Sequence, residues 1–265
     1  MENITAKIIA DSISEAGKRI TTFELEYPRF LHSETMTHRM LSKNCASSRA
    51  IRFEDMIANV RANTAMPVWW GKNQPGMQAR EEVEDIESCK ASWLEARDTA
   101  IASAEKLFRL GVHKQIVNRI VEPFCIIKTV LTGTDFNNLY ALRDHEDAQP
   151  EFAHLAKKMR LAQKNSEPEL LKVGEWHIPY AEKHLDLQTR LKVSASLCAQ
   201  VSYRKSDDSV EKALKIYERL TKSYPIHASV FEHQAQALPD ANMRSGNFYG
   251  WYQYRQSIPN NVVLG

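Results

Sequence analysis

Cysteine is scarce and scattered. The four thiols, Cys45, Cys89, Cys125 and Cys198, form no CxxC pair and have no cluster of histidines beside them, so the pattern of a zinc site is missing. A reduced, cytoplasmic chain without a bound metal is expected. No uncharged apolar run approaches the roughly 18 residues needed to cross a bilayer. The opening MENITAKIIADSIS lacks the basic-then-apolar order of an export signal, which points to a soluble protein with no membrane partner. An excess of one charge is missing too. Lys and Arg number 35 against 33 Asp and Glu, a net charge of +2, which gives no broad field for a nucleic-acid polymer. Small anionic ligands held by local basic patches fit this balance better. Repeats, low-complexity tracts and clean linkers are absent as well, so a single domain over residues 1–265 is expected.

What the chain does contain is an ordinary globular mixture, 43% hydrophobic and 26% charged, long enough to bury a sizeable core. AKIIADSI and RITTFELEYPRF alternate β-branched and aromatic residues around SEAGK and predict a β-hairpin. From His32 the pattern turns helical, and residues 53–62 form a short amphipathic helix. NTAMPVWWGKNQPGMQ reads as a loop whose adjacent tryptophans either pack down or cover a ligand. Residues 79–110 are apolar on one side and carry no internal Pro or Gly, predicting a long helix that Gly111 ends. VHKQIVNRIV predicts a helix stopping near Pro123, and FCIIKTVLTGT a buried strand or a buried helix. Further helices are expected over DFNNLYALR, DAQPEFAHLAKKMRLAQ, 187–203 and 210–223, before an aromatic tail that forms a hairpin or a loop. The class is α+β, a small antiparallel sheet with a long helix and several packed helices.

THRMLSKNCASSRAI, residues 37–51, gathers hydroxyls, an amide, a thiol, a His and two Arg with few large apolar side chains. Placed on a helix, SETMTHRMLSKN would set His38, Leu41 and Cys45 on one face and Arg39 and Lys43 on another. Ser42, Asn44, Ser47 and Ser48 offer short donors and acceptors, and Arg49 a planar fork suited to a phosphate or a ring carbonyl. The bland alternative is a capped helix end with solvated arginines.

The spacing favours the first alternative. His38-Arg39, seven residues, then Ser47, with Ser42, Asn44 and Arg49, resembles the R-H-R-x7-S signature of the flavin-dependent thymidylate synthases, with Thr37 in place of its first Arg. NNLYALRDHEDAQPE is similar to a second family block and contributes Asn138, Arg143, Gln149 and Glu151, with Asp147 where a His is common. NRIVEP resembles a third and contributes Arg119. Two elements that normally open the family's sequence stand near the other end here, as CAQVSYRKSD at 198–207 and IHASVFEH at 226–233, while the strand that should follow them sits near residue 21. That order resembles a circular permutation, which a fold tolerates when the new ends fall in exposed loops. The loop around Trp69 and Trp70 and the tail beyond Gln234 then look like additions.

The resemblance implies a thymidylate synthase-complementing-like fold. It also implies methylation of dUMP to dTMP, with FAD as the flavin, methylenetetrahydrofolate as carbon donor and NADPH as reductant, in a homotetramer with sites between subunits. His38, Arg39, Asn138 and Ser229 match flavin positions, and His227 a folate position. Ser47, Arg49, Arg119 and Arg143 match positions around the nucleotide, Ser47 and Arg143 with a catalytic part. Cys45 stands where many members have Glu and could act as a nucleophile if its pKa were lowered. Two rivals remain: a relative acting on UMP or dCMP, or leaving a hydroxymethyl group, and a non-enzymatic nucleotide- or protein-binding helical protein.

Overall fold

The computed structural model describes residues 3–202 and 209–263. Strands β1 (Thr5–Ser14) and β2 (Arg19–Pro28) pair antiparallel around Gly17, whose φ of +80° supplies the left-handed turn residue. After α1 (His32–Met36) comes strand β3 (Ser42–Cys45), then α2 (Phe53–Ala62) and α3 (Ile86–Arg109). A single turn, α4 (Lys114–Val117), passes into a 3-10 helix over Asn118–Phe124. Strand β4 (Ile126–Gly133), α5 (Asn137–Arg143) and α6 (Pro150–Lys164) follow. Short strands β5 (Glu169–Leu171) and β6 (Trp176–His177) lead to α7 (Leu187–Ala199) and α8 (Val210–Lys222). The chain closes with β7 (Ala235–Ala237), the ribbon β8 (Arg244–Ser245) with β9 (Phe248–Tyr249), and β10 (Trp251–Gln253).

Five strands form the main sheet in the order β3-β4-β2-β1-β5, with only β5 parallel to its neighbour; β10-β7-β6 form a second sheet. The α+β architecture agrees with the expectation from sequence. One side of the main sheet packs on α6 through Phe23, Leu25, Ile127, Leu131, Phe152 and Leu155, all nearly or fully buried. A second cluster joins α2, α3 and the 3-10 helix through Phe53, Ile57, Ile101 and Val121. Ile20 is buried instead against Phe248 and Trp251 of the tail. Among the described residues no helix is long and apolar enough to cross a membrane, and no group of three His, Cys, Asp or Glu could hold a metal.

The hairpin, α2, α5 and α6 fall where the sequence places them, FCIIKTVLTGT resolves as the strand β4, and the tail holds the β8–β9 hairpin. Four expectations are corrected. Ser42–Cys45 is a strand rather than the continuation of a helix, because pairing with Thr129–Thr132 of β4 outweighs the local pattern. The long helix begins at Ile86, where Asp85 caps it by accepting from Ser88 N at 3.0 Å; residues before it pair with the tryptophan loop through Lys72 N to Glu81 O at 2.7 Å and Val83 N to Trp70 O at 2.9 Å. VHKQIVNRIV makes one α-turn and then tightens to 3-10. The predicted helix over 187–203 ends as α7 at Ala199 with a 3-10 turn to Ser202, and its last residue lies outside the described residues, as does all of RKSD.

Candidate active site

Because β3 is a strand, the side chains of residues 42–45 alternate rather than fall on helical faces, and His38 and Cys45 do not share one. His38 lies in the turn between α1 and β3. Its Nε2 accepts from Arg143 Nε at 3.1 Å, and its ring meets Phe152 edge-on at 5.6 Å. Burial first, then the Arg143 and Lys43 charges, push the His38 imidazole down to about 4, so it is a neutral acceptor at physiological pH. Arg143, in the last turn of α5, also donates from Nη1 to Glu34 Oε2 at 3.3 Å, and its guanidinium lies 4.7 Å over the Phe152 ring. Two sequence blocks 105 residues apart thus meet at one half-buried guanidinium.

The end of the motif is anchored from below. Glu122 Oε1 accepts from Ser48 Oγ at 2.5 Å and faces Arg29 Nη2 at 3.1 Å and Arg119 Nη1 at 3.5 Å. Asn118, fully buried, donates to Ser48 O at 2.8 Å and Ile51 O at 3.1 Å. Arg119 is therefore brought under the segment that carries Ser47 and Arg49, both exposed. From the other end of the chain, Ser229 Oγ lies 3.3 Å from the Asn44 amide and His233 Nε2 2.9 Å from it. Asn247 and Gln253 of the tail each donate to Ser42 Oγ at 3.2 Å.

The predicted residues thus fall into local groups: His38 with Arg143, Ser47 and Arg49 above Arg119, and Ser229 against Asn44. Arg39 and Asn138 are exposed and bond to none of these, and neither does exposed His227. Cys45 does not suit a nucleophile, since burial pushes its thiol up rather than down. Sequence reasoning missed Glu34, Phe152 and Glu122 as partners of the arginines, and their only sequence signal was adjacency to the motifs. Glu151, quoted with the second block, is buried and accepts from Val68 N at 2.8 Å, tying down the loop in which Trp70 packs on Trp93 at 6.2 Å.

The cations fit a group bearing phosphates. Arg143 offers a half-buried planar donor set over the buried Phe152 ring, and Arg39 and Arg49 are exposed and have no ion-pair partner among the described residues.

The fold is an α+β sheet whose edge strand β3 is flanked by the exposed Arg39 and Arg49. A family model described as thymidylate synthase complementing protein matches residues 18–169. The chain belongs to that family of thymidylate synthase-like methyltransferases. No curated protein sequence matches it significantly. Among solved structures, the chain is similar to a UMP/dUMP methylase, PolB, from Streptomyces cacaoi. With 5-bromo-dUMP bound, the likeness has a TM-score of 0.50 at 18% identity, covering 61% of this chain and 90% of the other. With 5-bromo-UMP bound, the values are 0.52, 16%, 61% and 89%. At such identity the likeness is one of fold. The family match ends at 169, before the segments that the permuted order would place first, so the matched stretch does not include the permutation.

Proposed function

We propose that this protein methylates dUMP to dTMP, using a bound FAD, methylenetetrahydrofolate as carbon donor and NADPH as reductant. The observation that carries the reading is the His38–Arg143 contact, which joins two separate blocks of the family motif around one oriented guanidinium. Ser47, Arg49, Arg119 and Arg143 lie on the nucleotide side: the arginines pair with phosphate oxygens and uracil carbonyls, and neutral His38 keeps the Arg143 plane fixed. His38, Arg39, Asn138 and Ser229 bind the flavin, and His227 the folate. When bound, the flavin supplies hydride transfer, and the chain's own residues position the rings and exclude water. The exposure of Arg39, Arg49 and Asn138 supports a site completed by a second copy in a homotetramer. The contacts of Ser229 and His233 with Asn44 support the permuted order, since they bring the late segment onto the motif strand.

A second reading keeps the machinery and changes the nucleotide to UMP or dCMP. It is favoured by Cys45, a small thiol where a carboxylate is common, and by the UMP/dUMP methylase named among the similar structures. Purified protein given FAD, NADPH and methylenetetrahydrofolate is incubated with dUMP, UMP or dCMP, and the product mass is read. A methylated dUMP is expected. Methylation of UMP or dCMP alone selects the second reading, and no one-carbon product from any of the three overturns both.

A further inference from the structure

A line of buried polar side chains runs from the motif strand across the main sheet to its far side. Asn44 meets His233 Nε2 at 2.9 Å, and His233 Nδ1 meets Thr132 Oγ1 at 2.8 Å. Thr132 meets Thr22 Oγ1 at 2.8 Å, Thr22 meets His177 Nε2 at 2.8 Å, and His177 Nδ1 meets Ser12 Oγ at 2.9 Å. Ser12, Thr22, Thr132, His177 and His233 are all buried. Ser12, His177 and His233 lie outside residues 18–169, so the line ties the family-matched core to its flanks.

Each of these side chains can either donate or accept, so the line could run in two directions. One end settles it. The amide atom of Asn44 that faces His233 Nε2 also lies 2.9 Å from Ser229 O and 3.3 Å from Lys43 O. Two carbonyl oxygens demand a donor, so that atom is Nδ2. His233 Nε2 must then accept, which leaves the proton on Nδ1, and Nδ1 donates to Thr132. The Thr132 hydroxyl passes its hydrogen to Thr22, Thr22 donates to His177 Nε2, and His177 Nδ1–H donates to Ser12. From His233 Nδ1 to His177 Nδ1 every hydrogen is used once.

We propose that His233 and His177 are positioning residues: through this one-way line they hold Asn44 with its carboxamide oxygen turned outward beside Ser229 Oγ. That edge of the site presents acceptors and takes an N–H of a bound ring, the imide that flavins and uracils share. The identity of the ligand rests on the methylase reading, whereas the direction of the line does not.

The test reads histidine tautomers by nitrogen NMR on ligand-free protein labelled at the imidazoles. Both His177 and His233 are expected neutral with the proton on Nδ1 at pH 7. Asn44→Asp replaces the donor by an acceptor, and His233 and then His177 should both invert to the Nε2–H form. A cationic or Nε2-protonated histidine in the unaltered protein, or a His177 left unchanged by Asn44→Asp, overturns the proposal. Should Asn44→Asp not fold, near-isosteric Thr132→Val decides the matter. It leaves the buried His233 Nδ1–H without an acceptor while Ser229 O and Lys43 O still hold Asn44 Nδ2 in place, so His233 keeps its tautomer but no longer braces the Asn44 edge, and binding of the imide ligand weakens roughly ten-fold, while Thr132→Ser restores it. Fluorescence titrations with FAD and calorimetric titrations with dUMP run in parallel. Weakening of one only assigns the edge to that ring, and weakening of neither overturns the role of the edge. If the unaltered protein binds neither ligand, the methylase reading fails while the tautomers still stand.

Discussion

Arg143 uses three features of one planar group: an Nε–H to His38, an Nη1–H to Glu34 and a face laid on Phe152. A lysine can reproduce a single point charge but neither the fork nor the stacked plane. Arg143→Lys is therefore expected to weaken dUMP binding by roughly ten-fold or more, measured by titration calorimetry. Its unfolding midpoint should hardly move, because a half-exposed ion pair contributes little. His177 and His233 behave differently, since burial holds both down to about 3, far under the ordinary 6.5. Each binds a proton more readily when unfolded, so their stabilisation is complete above pH 6.5 and is lost as pH falls from there toward 3. Each adds a slope of about 1 kcal/mol per pH unit in that window. Urea midpoints compared at pH 7 and pH 5 should show the loss, and His177→Gln should flatten it. The spacing of His38, Arg143 and Arg119 made these residues legible in the sequence. Glu34, Phe152 and His177 were not, because their part depends on which elements the fold brings beside them rather than on any pattern around them.

At the scale of single elements, the motif segment shows where local pattern fails. THRMLSKN is compatible with a helix by propensity, yet its second half pairs with β4 in the register Ser42↔Thr132 to Cys45↔Thr129. Partners so distant in sequence leave no local trace, whereas the hairpin at the start, with its alternating residues and Gly17, was plain to read. The close approach of the motif turn to β4 also constrains Gly133, where an added Cβ would lie 2.4 Å from Leu41 Cδ2. Gly133→Ala should cost about 1 kcal/mol, the low end for overpacking because a methyl at the end of a Leu can swing aside, and denaturant titration measures it. Glu151 gives a second test. Its buried carboxylate accepts from Val68 N and from Gln149 Nε2 at 2.7 Å. Glu151→Ala removes hydrogen bonds to a buried carboxylate at a cost of about 1.5–3 kcal/mol. It should also free the loop, read as a red shift in tryptophan emission and faster proteolysis between residues 66 and 82.

Across the whole molecule, the stretch matched by the family model does not complete its own core. Ile20 at the start of β2 is covered by Ala235, Ala237, Phe248 and Trp251 from the far end of the chain. Trp251 is fully buried and donates from Nε1 to Lys18 O at 3.1 Å. Trp251→Ala should lower stability by about 3–5 kcal/mol, seen in the urea midpoint, and a chain ending at residue 169 should be insoluble. The family resemblance left this tail as an addition and its aromatic content suggested a hairpin or a loop, but its attachment to Ser42 through Asn247 and Gln253 could be found only in three dimensions.

If Arg143 takes the nucleotide phosphate as proposed, its pair with Glu34 sets a threshold for admission. The guanidinium is already half-satisfied by a carboxylate at 3.3 Å, so a chloride or a small organic acid gains little by competing for it. A phosphate monoester carries close to two charges on three oxygens near neutral pH and can take the fork over, leaving Glu34 to turn toward water. On the proposed reading, the resting protein would discriminate by charge density before any base is read.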